Sequence, residues 1–266
     1  MNSAFTHMPR YVSYWENAPG QTMAPYVALA LVSMRRALGD RFLLLTPRML
    51  ENSIDPAIVD KCWAFEPLSF TLATGIEEIV AKSDFIRMAW VQQHGGVWLD
   101  ADTLMLGDPT DSLFPDGLTT KLHWHSECIF GSQPGNPLLA RALAIGLARE
   151  RHAWGNPGCI KDLVPQAPEQ VINISGECID PGYRPQYNFT SCEVMHRTDL
   201  AVDSFLLRPV ALLKLYNTYF RRTANRIESV AEFLANGSLL TRLYLHIEPD
   251  VGYWLAESER LMDELV

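Results

Sequence analysis

Residues 83–106 read SDFIRMAWVQQHGGVWLDADTLML, and no other stretch of the chain leaves so few ways to fold. Ser83 has the hydroxyl of a helix N-cap, which accepts from a free amide of the first turn. Phe85, Ile86, Ala89 and Trp90 follow at helical spacing, so the segment predicts an amphipathic helix begun at Ser83. Gly95 and Gly96 supply positive-φ positions that end a helix at little cost. Val97, Trp98 and Leu99 are apolar and β-prone, as an interior strand requires. That strand carries Asp100 and Asp102 to its carboxyl end, the edge at which open α/β sheets bind ligands. Two hard carboxylates there suit Mg2+ or Mn2+ with a phosphorylated ligand. The bare spacing also serves a turn in which aspartates bond to nearby backbone.

The same stretch holds a second constellation. Asp84 and Arg87 are three residues apart and share a helix face. Asp84 falls in the first turn of a helix begun at Ser83, where the macrodipole favours a carboxylate. The two form either a local ion pair or a clamp. In a clamp the carboxylate accepts from sugar hydroxyls and the guanidinium donates to hydroxyl or phosphate oxygens.

Upstream, Tyr11 to Trp15 reads as a strand, Met23 to Leu38 as an amphipathic helix stopped by Gly39, and Arg41 to Thr46 as a buried second strand. Strand, helix and strand with short joints indicate an α/β sheet. Downstream, Leu118 to Phe130 predicts a strand pair and Asn136 to Glu150 a helix. Ala201 to Pro209 and Arg242 to Ile247 read as late strands, with a helix over about Asn225 to Leu234 between them. No repeat or linker divides the chain, so the expectation is one domain over residues 1–266.

A chain of 266 residues suffices for one large α/β domain or two small ones. The net charge of −9 argues against a general nucleic-acid binder. It also repels a diphosphate, so an acidic site needs a metal or local arginines to accept one. No apolar run approaches the length of about 18 residues that marks a membrane span. The opening MNSAFTHMPR lacks a basic segment followed by an apolar one. The expected location is cytoplasmic, with peripheral association at a membrane permitted. The five cysteines, Cys62, Cys128, Cys159, Cys178 and Cys192, are scattered, which fits reduced thiols.

His123 and His125 flank Trp124 in a strand-like run. Alternation puts them on one face, as a metal or acceptor contact or as a partly exposed strand face. Glu127 lies two residues further on the face of His125 and is a candidate acid/base or carboxylate at the reacting centre.

Ser83-Asp84-x-x-Arg87 followed by Gly95-Gly96-Val97-Trp98-Leu99-Asp100-Ala101-Asp102 resembles the sugar-binding region of the Asp-x-Asp glycosyltransferases. Within that group the pattern is similar to capsular polysaccharide synthesis proteins and to mannosyl- and α-galactosyltransferase-like enzymes. Met8 to Trp15 (MPRYVSYW) resembles the group's first strand, which usually ends in Trp, and the match runs from about Pro9 to Leu106. The resemblance implies a GT-A fold, with a Rossmann-like mixed sheet flanked by helices. Its donor-binding half would cover about residues 1–110 and its acceptor-binding half about 111–266. It implies that Asp102 ligates Mn2+ or Mg2+ and that Asp100 contacts ribose, sugar or the metal shell. It implies that Asp84 and Arg87 hold the donor sugar and that Trp15 lies near the base. Enzymes of this fold often complete the metal shell from a late strand or the tail, which makes His246 a candidate third ligand and Glu248 its alternative. Trp254 is a candidate to close over the diphosphate. Trp154 to Gly158 resembles the group's acceptor-side Gly-Pro-Gly loop. The chain's end departs from the group's usual His-x-x-x-Ser-Trp.

The implied reaction moves a sugar from a nucleotide-diphosphate sugar to a saccharide or glycolipid hydroxyl, with retention, in surface polysaccharide synthesis. The competing readings are a nucleotidyltransferase and a non-catalytic nucleotide-sugar-binding relative. Residues 15–20 (WENAPG) carry no Lys or Arg to form a phosphate loop, which counts against the first.

Overall fold

The computed structural model describes residues 8–17, 20–46, 76–148, 160–176, 179, 194–206, 210–215 and 229–265. The chain divides into two compact units interleaved in sequence: residues 1–22, 41–100 and 116–174, and residues 23–40, 101–115 and 175–266.

The first unit is built on a six-stranded mixed sheet. Its strands are β1 (Tyr11–Tyr14), β2 (Phe42–Leu45), β3 (Gly96–Leu99), β5 (Leu122–Ser126), β6 (Ile129–Ser132) and β7 (Val171–Asn173), in the order β2-β1-β3-β6-β5-β7. β1 runs parallel to both β2 and β3, β6 is antiparallel to β3 and β5, and β7 is parallel to β5. All four residues of β1 are buried, consistent with its place between two strands. Helix α2 (Ile76–His94) packs on β1, β3 and β6 through Phe85, Ile86, Ala89 and Trp90. α4 (Pro137–Ala148) packs on α2, and the short α5 (Ile160–Leu163) packs on α4. Asn136 caps α4, its side chain accepting from the amides of Leu138 and Leu139 at 3.0 and 3.1 Å.

Gly95 and Gly96 do what their position predicts and one thing more. Both have positive φ, +68° and +102°. A Cβ on Gly96 would also stand 2.7 Å from the Arg10 carbonyl, which accepts from the amide of Val97 at 2.8 Å. Gly96 therefore lets β3 close against β1.

The second unit contains α1 (Pro25–Leu38), β4 (Thr103–Met105), α3 (Thr110–Leu113), α6 (Val202–Phe205), β8 (Leu212–Lys214), α7 (Val230–Ala235), α8 (Leu239–Ile247) and α9 (Val251–Glu264). β4 and β8 pair antiparallel. α1 is apolar over most of its surface, as a buried helix should be, and the buried Ser33 hydroxyl accepts from the amide of Met105 at 2.9 Å. Arg35 pairs with Glu264 and Arg36 with Glu248, joining the last turn of α1 to α9 and to the residue that ends α8.

Several expectations need correction. The helix expected to start at Ser83 starts at Ile76, so Ser83 and Asp84 lie in its interior and the macrodipole does not favour Asp84. Glu77, Glu78, Ala81 and Lys82 are good helix formers, and nothing immediately upstream of Ser83 stops the helix. Arg242 to Ile247 is not a strand but the latter part of α8. Ser238 caps that helix, and Leu239, Leu240, Leu243 and Tyr244 form its buried face. A short apolar run such as Leu243-Tyr244-Leu245 does not distinguish the two periods until the turn before it is included. Residues 202–205 are likewise helical rather than extended. Of the helix expected near Asn225 to Leu234, Val230–Ala235 is helical, while residues 225–228 lie outside the described residues. Among the described residues, no helix is long and apolar enough to cross a membrane.

Candidate functional site

β1, β2 and β3 are parallel, so their carboxyl ends share one edge of the first unit's sheet. β1 delivers Trp15 and Glu16 to that edge, and β3 delivers Asp100. The register pairs Leu99 with Ile129, which brings the β5–β6 turn and Glu127 to the same edge. The amide of Asp100 donates to the Cys128 carbonyl at 3.0 Å and fixes the turn there.

α2 supplies the cation. Arg87 donates to Asp84 Oδ1 at 2.6 Å, one turn back, and its other terminal nitrogen stands 4.0 Å from Asp100 Oδ1. Asp100 Oδ1 also accepts from the Trp98 indole at 2.8 Å. Arg87 is 8% exposed at its side chain, Asp84 18% and Asp100 23%. Among the described residues, Arg87 Nε and Glu127 Oε1 are buried without a hydrogen-bond partner. One buried donor and one buried acceptor at a sheet edge are what a hydroxyl-bearing ligand would satisfy.

Burial pushes the Asp84 carboxyl up to about 6. Arg87 opposes the rise, and the neighbouring Asp100 and Glu127 add to it. Burial likewise raises Glu127, with Arg87 and Lys161 opposing. Burial works against the charge of Arg87, but Asp84, Asp100, Cys128 and Glu127 hold its pKa above the usual value. Three carboxylates thus converge on one guanidinium.

Asp102 belongs to the second unit. It is buried, and its carboxylate is ion-paired with the Lys214 ammonium. Its carbonyl accepts from the amide of Leu215 at 2.8 Å. His246 is exposed in the last turn of α8, and Glu248 accepts from Arg36 at 3.1 Å. Among the described residues, no three His, Cys, Asp or Glu side chains gather around one point. The poor fit to Mn2+ or Mg2+ lies at Asp102, the expected ligand, whose carboxylate is taken up by the Lys214 ammonium.

Trp15 is half-exposed, its indole donating to Asn17 Oδ1 at 2.8 Å. Trp254 is placed differently from its expected role at the diphosphate. It is 0% exposed, packs edge-on against Tyr244, and donates from its indole to the Glu248 carbonyl at 2.8 Å. The burial of α9 against α7 and α1 needs that ring in the core. His123 is buried and its Nε2 lies 3.3 Å from the amide of Thr119. A bulge between Trp124 and Ser126 breaks the alternation that placed His125 and Glu127 on one face. Trp154 to Gly158 and four of the cysteines lie outside the described residues, while Cys128 is a half-buried thiol.

Sequence reasoning missed two lysines. Lys82 is fully buried in α2, donates to Glu16 at 2.8 Å and lies over the Tyr14 ring, 5.8 Å from its centroid. It falls on the apolar face with Phe85, Ile86 and Ala89, which was the available signal. Lys214 interrupts the run Leu212-Leu213-Lys214-Leu215, where a cation needs a buried partner.

The family model described as a glycosyltransferase sugar-binding region containing the DXD motif matches residues 53–118. That span includes Asp84, Arg87, Asp100 and Asp102. No curated protein matches the chain. Among solved structures, the apo-form glycosyltransferase GlyE of Streptococcus pneumoniae TIGR4 is similar over 97% of this chain and 64% of its own, at 14% identity and a TM-score of 0.47. The PaToxG glycosyltransferase is similar over 59% of this chain and 69% of its own, at 10% identity and a TM-score of 0.39. This chain therefore spans about two thirds of either structure, and carries a glycosyltransferase-like Asp-x-Asp region on a mixed α/β fold.

Proposed function

We propose that the chain is a glycosyltransferase of the GT-A type, taking a hexose from a nucleotide-diphosphate sugar and placing it on a saccharide or glycolipid hydroxyl. The observation that carries this reading is the Asp84–Arg87–Asp100 cluster at the carboxyl edge of the sheet, with Glu127 beside it. Asp84 and Asp100 accept from the donor sugar's hydroxyls, and Arg87 donates to them and holds both carboxylates in place. The bond from the anomeric carbon to the diphosphate breaks, the acceptor oxygen bonds to that carbon, and the acceptor's proton is released. Glu127 is the carboxylate placed to steady the cationic anomeric centre or take that proton. Trp15 lies at the same edge as a platform for the base. The expected setting is surface polysaccharide synthesis at the cytoplasmic side of a membrane, with retention at the anomeric carbon. The donor would bind in about residues 1–110 and the acceptor in about 111–266.

The test is thermal unfolding with a panel of nucleotide sugars, beside Asp100→Asn. A ligand at 100 times its Kd adds about 2.7 kcal/mol to the stability of the state it binds. One donor should raise the melting temperature of the wild type, raise it less in the variant, and release its nucleoside diphosphate when acceptor is added. Binding without release in the presence of any acceptor would leave a nucleotide-sugar-binding protein, and no binding would sink the reading.

A further inference from the structure

We propose that Lys214 is the resident counter-cation of this Asp-x-Asp motif: it occupies the carboxylate of Asp102 that a divalent ion would need, and the chain binds its nucleoside diphosphate without Mn2+ or Mg2+. The inference rests on the glycosyl-transfer reading given above.

Strand pairing brings the two residues to neighbouring positions. β4 and β8 match Thr103 with Lys214, Leu104 with Leu213 and Met105 with Leu212. The Leu215 amide closes the ladder on the Asp102 carbonyl at 2.8 Å. Lys214 stands opposite Thr103, one position along from Asp102, and because Asp102 lies in the turn that precedes β4 it is free of the strand's alternation and its carboxylate meets the Lys214 ammonium. Leu104, Met105, Leu212, Leu213 and Leu215 are all 0% exposed, so the strand pair around the two charges is dry.

A dry ion pair differs from a surface one in what it excludes. Its members are 6% and 8% exposed at the side chain, so neither regains its hydration if the other leaves. A dication on Asp102 would therefore sit beside the ammonium, or would force it into an apolar strand pair unpaired. The motif's other carboxylate is also committed, since Asp100 accepts from Trp98 and faces Arg87. Asp102 is thus held directly by a side-chain cation, and Asp100 has one 4.0 Å away.

The test has two arms. In the first, Mn2+ is titrated into the wild-type protein and its free signal read by electron paramagnetic resonance, with and without UDP or GDP. The wild type should retain no Mn2+ that Asp102→Asn loses. Lys214→Met should uncover a Mn2+ site that Asp102→Asn/Lys214→Met abolishes. That double variant removes both charges, so it remains folded even if the single one does not. In the second arm, thermal shifts by UDP, GDP and ADP are compared in EDTA and in Mn2+. The apparent Kd of the nucleotide that binds should agree between them within roughly twofold. Wild-type Mn2+ retention that disappears in Asp102→Asn would overturn the proposal, as would a nucleotide shift seen only with Mn2+. If no nucleotide binds under either condition, the glycosyl-transfer reading fails, and with it the nucleotide half of this proposal. The Mn2+ titration alone then decides whether Lys214 holds Asp102.

Discussion

On the proposed reading, Asp84 should couple pH to both stability and activity. Its carboxyl is pushed up to about 6 by burial, against 3.8 as the ordinary value, so between those pH values the folded protein holds a proton that the unfolded chain has released. The contribution is fully present below the unfolded value and is lost as pH rises through the folded one. A rise of that size corresponds to about 3 kcal/mol at most. The expected outcome is a urea midpoint that falls between pH 4 and pH 6 and a shallower fall in Asp84→Asn, whose amide keeps the neutral shape at every pH. Activity should run the other way, with an acid limb in kcat/KM near pH 6, because the ionised form is the one that accepts two hydroxyls. An acid limb that survives unchanged in an active Asp84→Asn protein would remove Asp84 from the donor contacts. Arg87 makes a sharper demand. Arg87→Met leaves Asp84, Asp100 and Glu127 facing one another without their shared cation, and should cost about 3–5 kcal/mol in urea unfolding at pH 8. That cost should shrink at pH 5, as Asp84 takes up its proton.

At the scale of elements, the joint between α2 and β3 is the most constrained. Gly96→Ala would put a Cβ 2.7 Å from the Arg10 carbonyl on backbone at φ +102°, so it should destabilise by at least about 2 kcal/mol and push the protein toward aggregation. Ser238→Ala is the milder comparison. It removes an N-cap that accepts from the Thr241 amide at 3.2 Å, for about 1 kcal/mol by the same urea measurement. These two sites also mark what is legible in the sequence. β1, α1, β2 and β3 are plain there, because each has one period and a Gly or Pro near its edge. The start of α2 is not, because Ser83 is as acceptable inside a helix as at its cap, and the buried Lys82–Glu16 pair that helps hold the extra turns joins residues far apart in sequence. α8 resembles a strand over residues 242–247 alone, because its cap, Ser238, lies just before that run. β8 is hidden because three residues are too few for a pattern. Asp84 and Arg87 are visible as partners because a helix turn makes contact local, whereas Asp102 and Lys214 are 112 residues apart and only strand pairing joins them.

For the molecule as a whole, net charge should set the encounter with the donor proposed above. The chain carries 22 basic and 31 acidic residues, a net −9, and a nucleotide-diphosphate sugar is itself an anion. Arg87 and Lys214 are both buried and already paired with carboxylates, so they project little field, and the exposed Lys161 near Glu127 is outnumbered by Asp84, Asp100 and Glu127. At low ionic strength the Debye length reaches about 30 Å and an approaching donor meets the net charge of the protein; at 0.1 M it falls to about 10 Å and the repulsion is largely screened. The second-order rate for the donor should therefore rise with salt, by roughly two- to threefold between about 10 and 150 mM, and then level off. A basic nucleotide-binding cleft would give the opposite slope. Measuring kcat/KM for the donor across that range, with the acceptor saturating and EDTA present, separates the two. A steep fall with added salt would mean that exposed basic groups govern capture, and that the buried Arg87 and Lys214 act only after the donor has been drawn in by others.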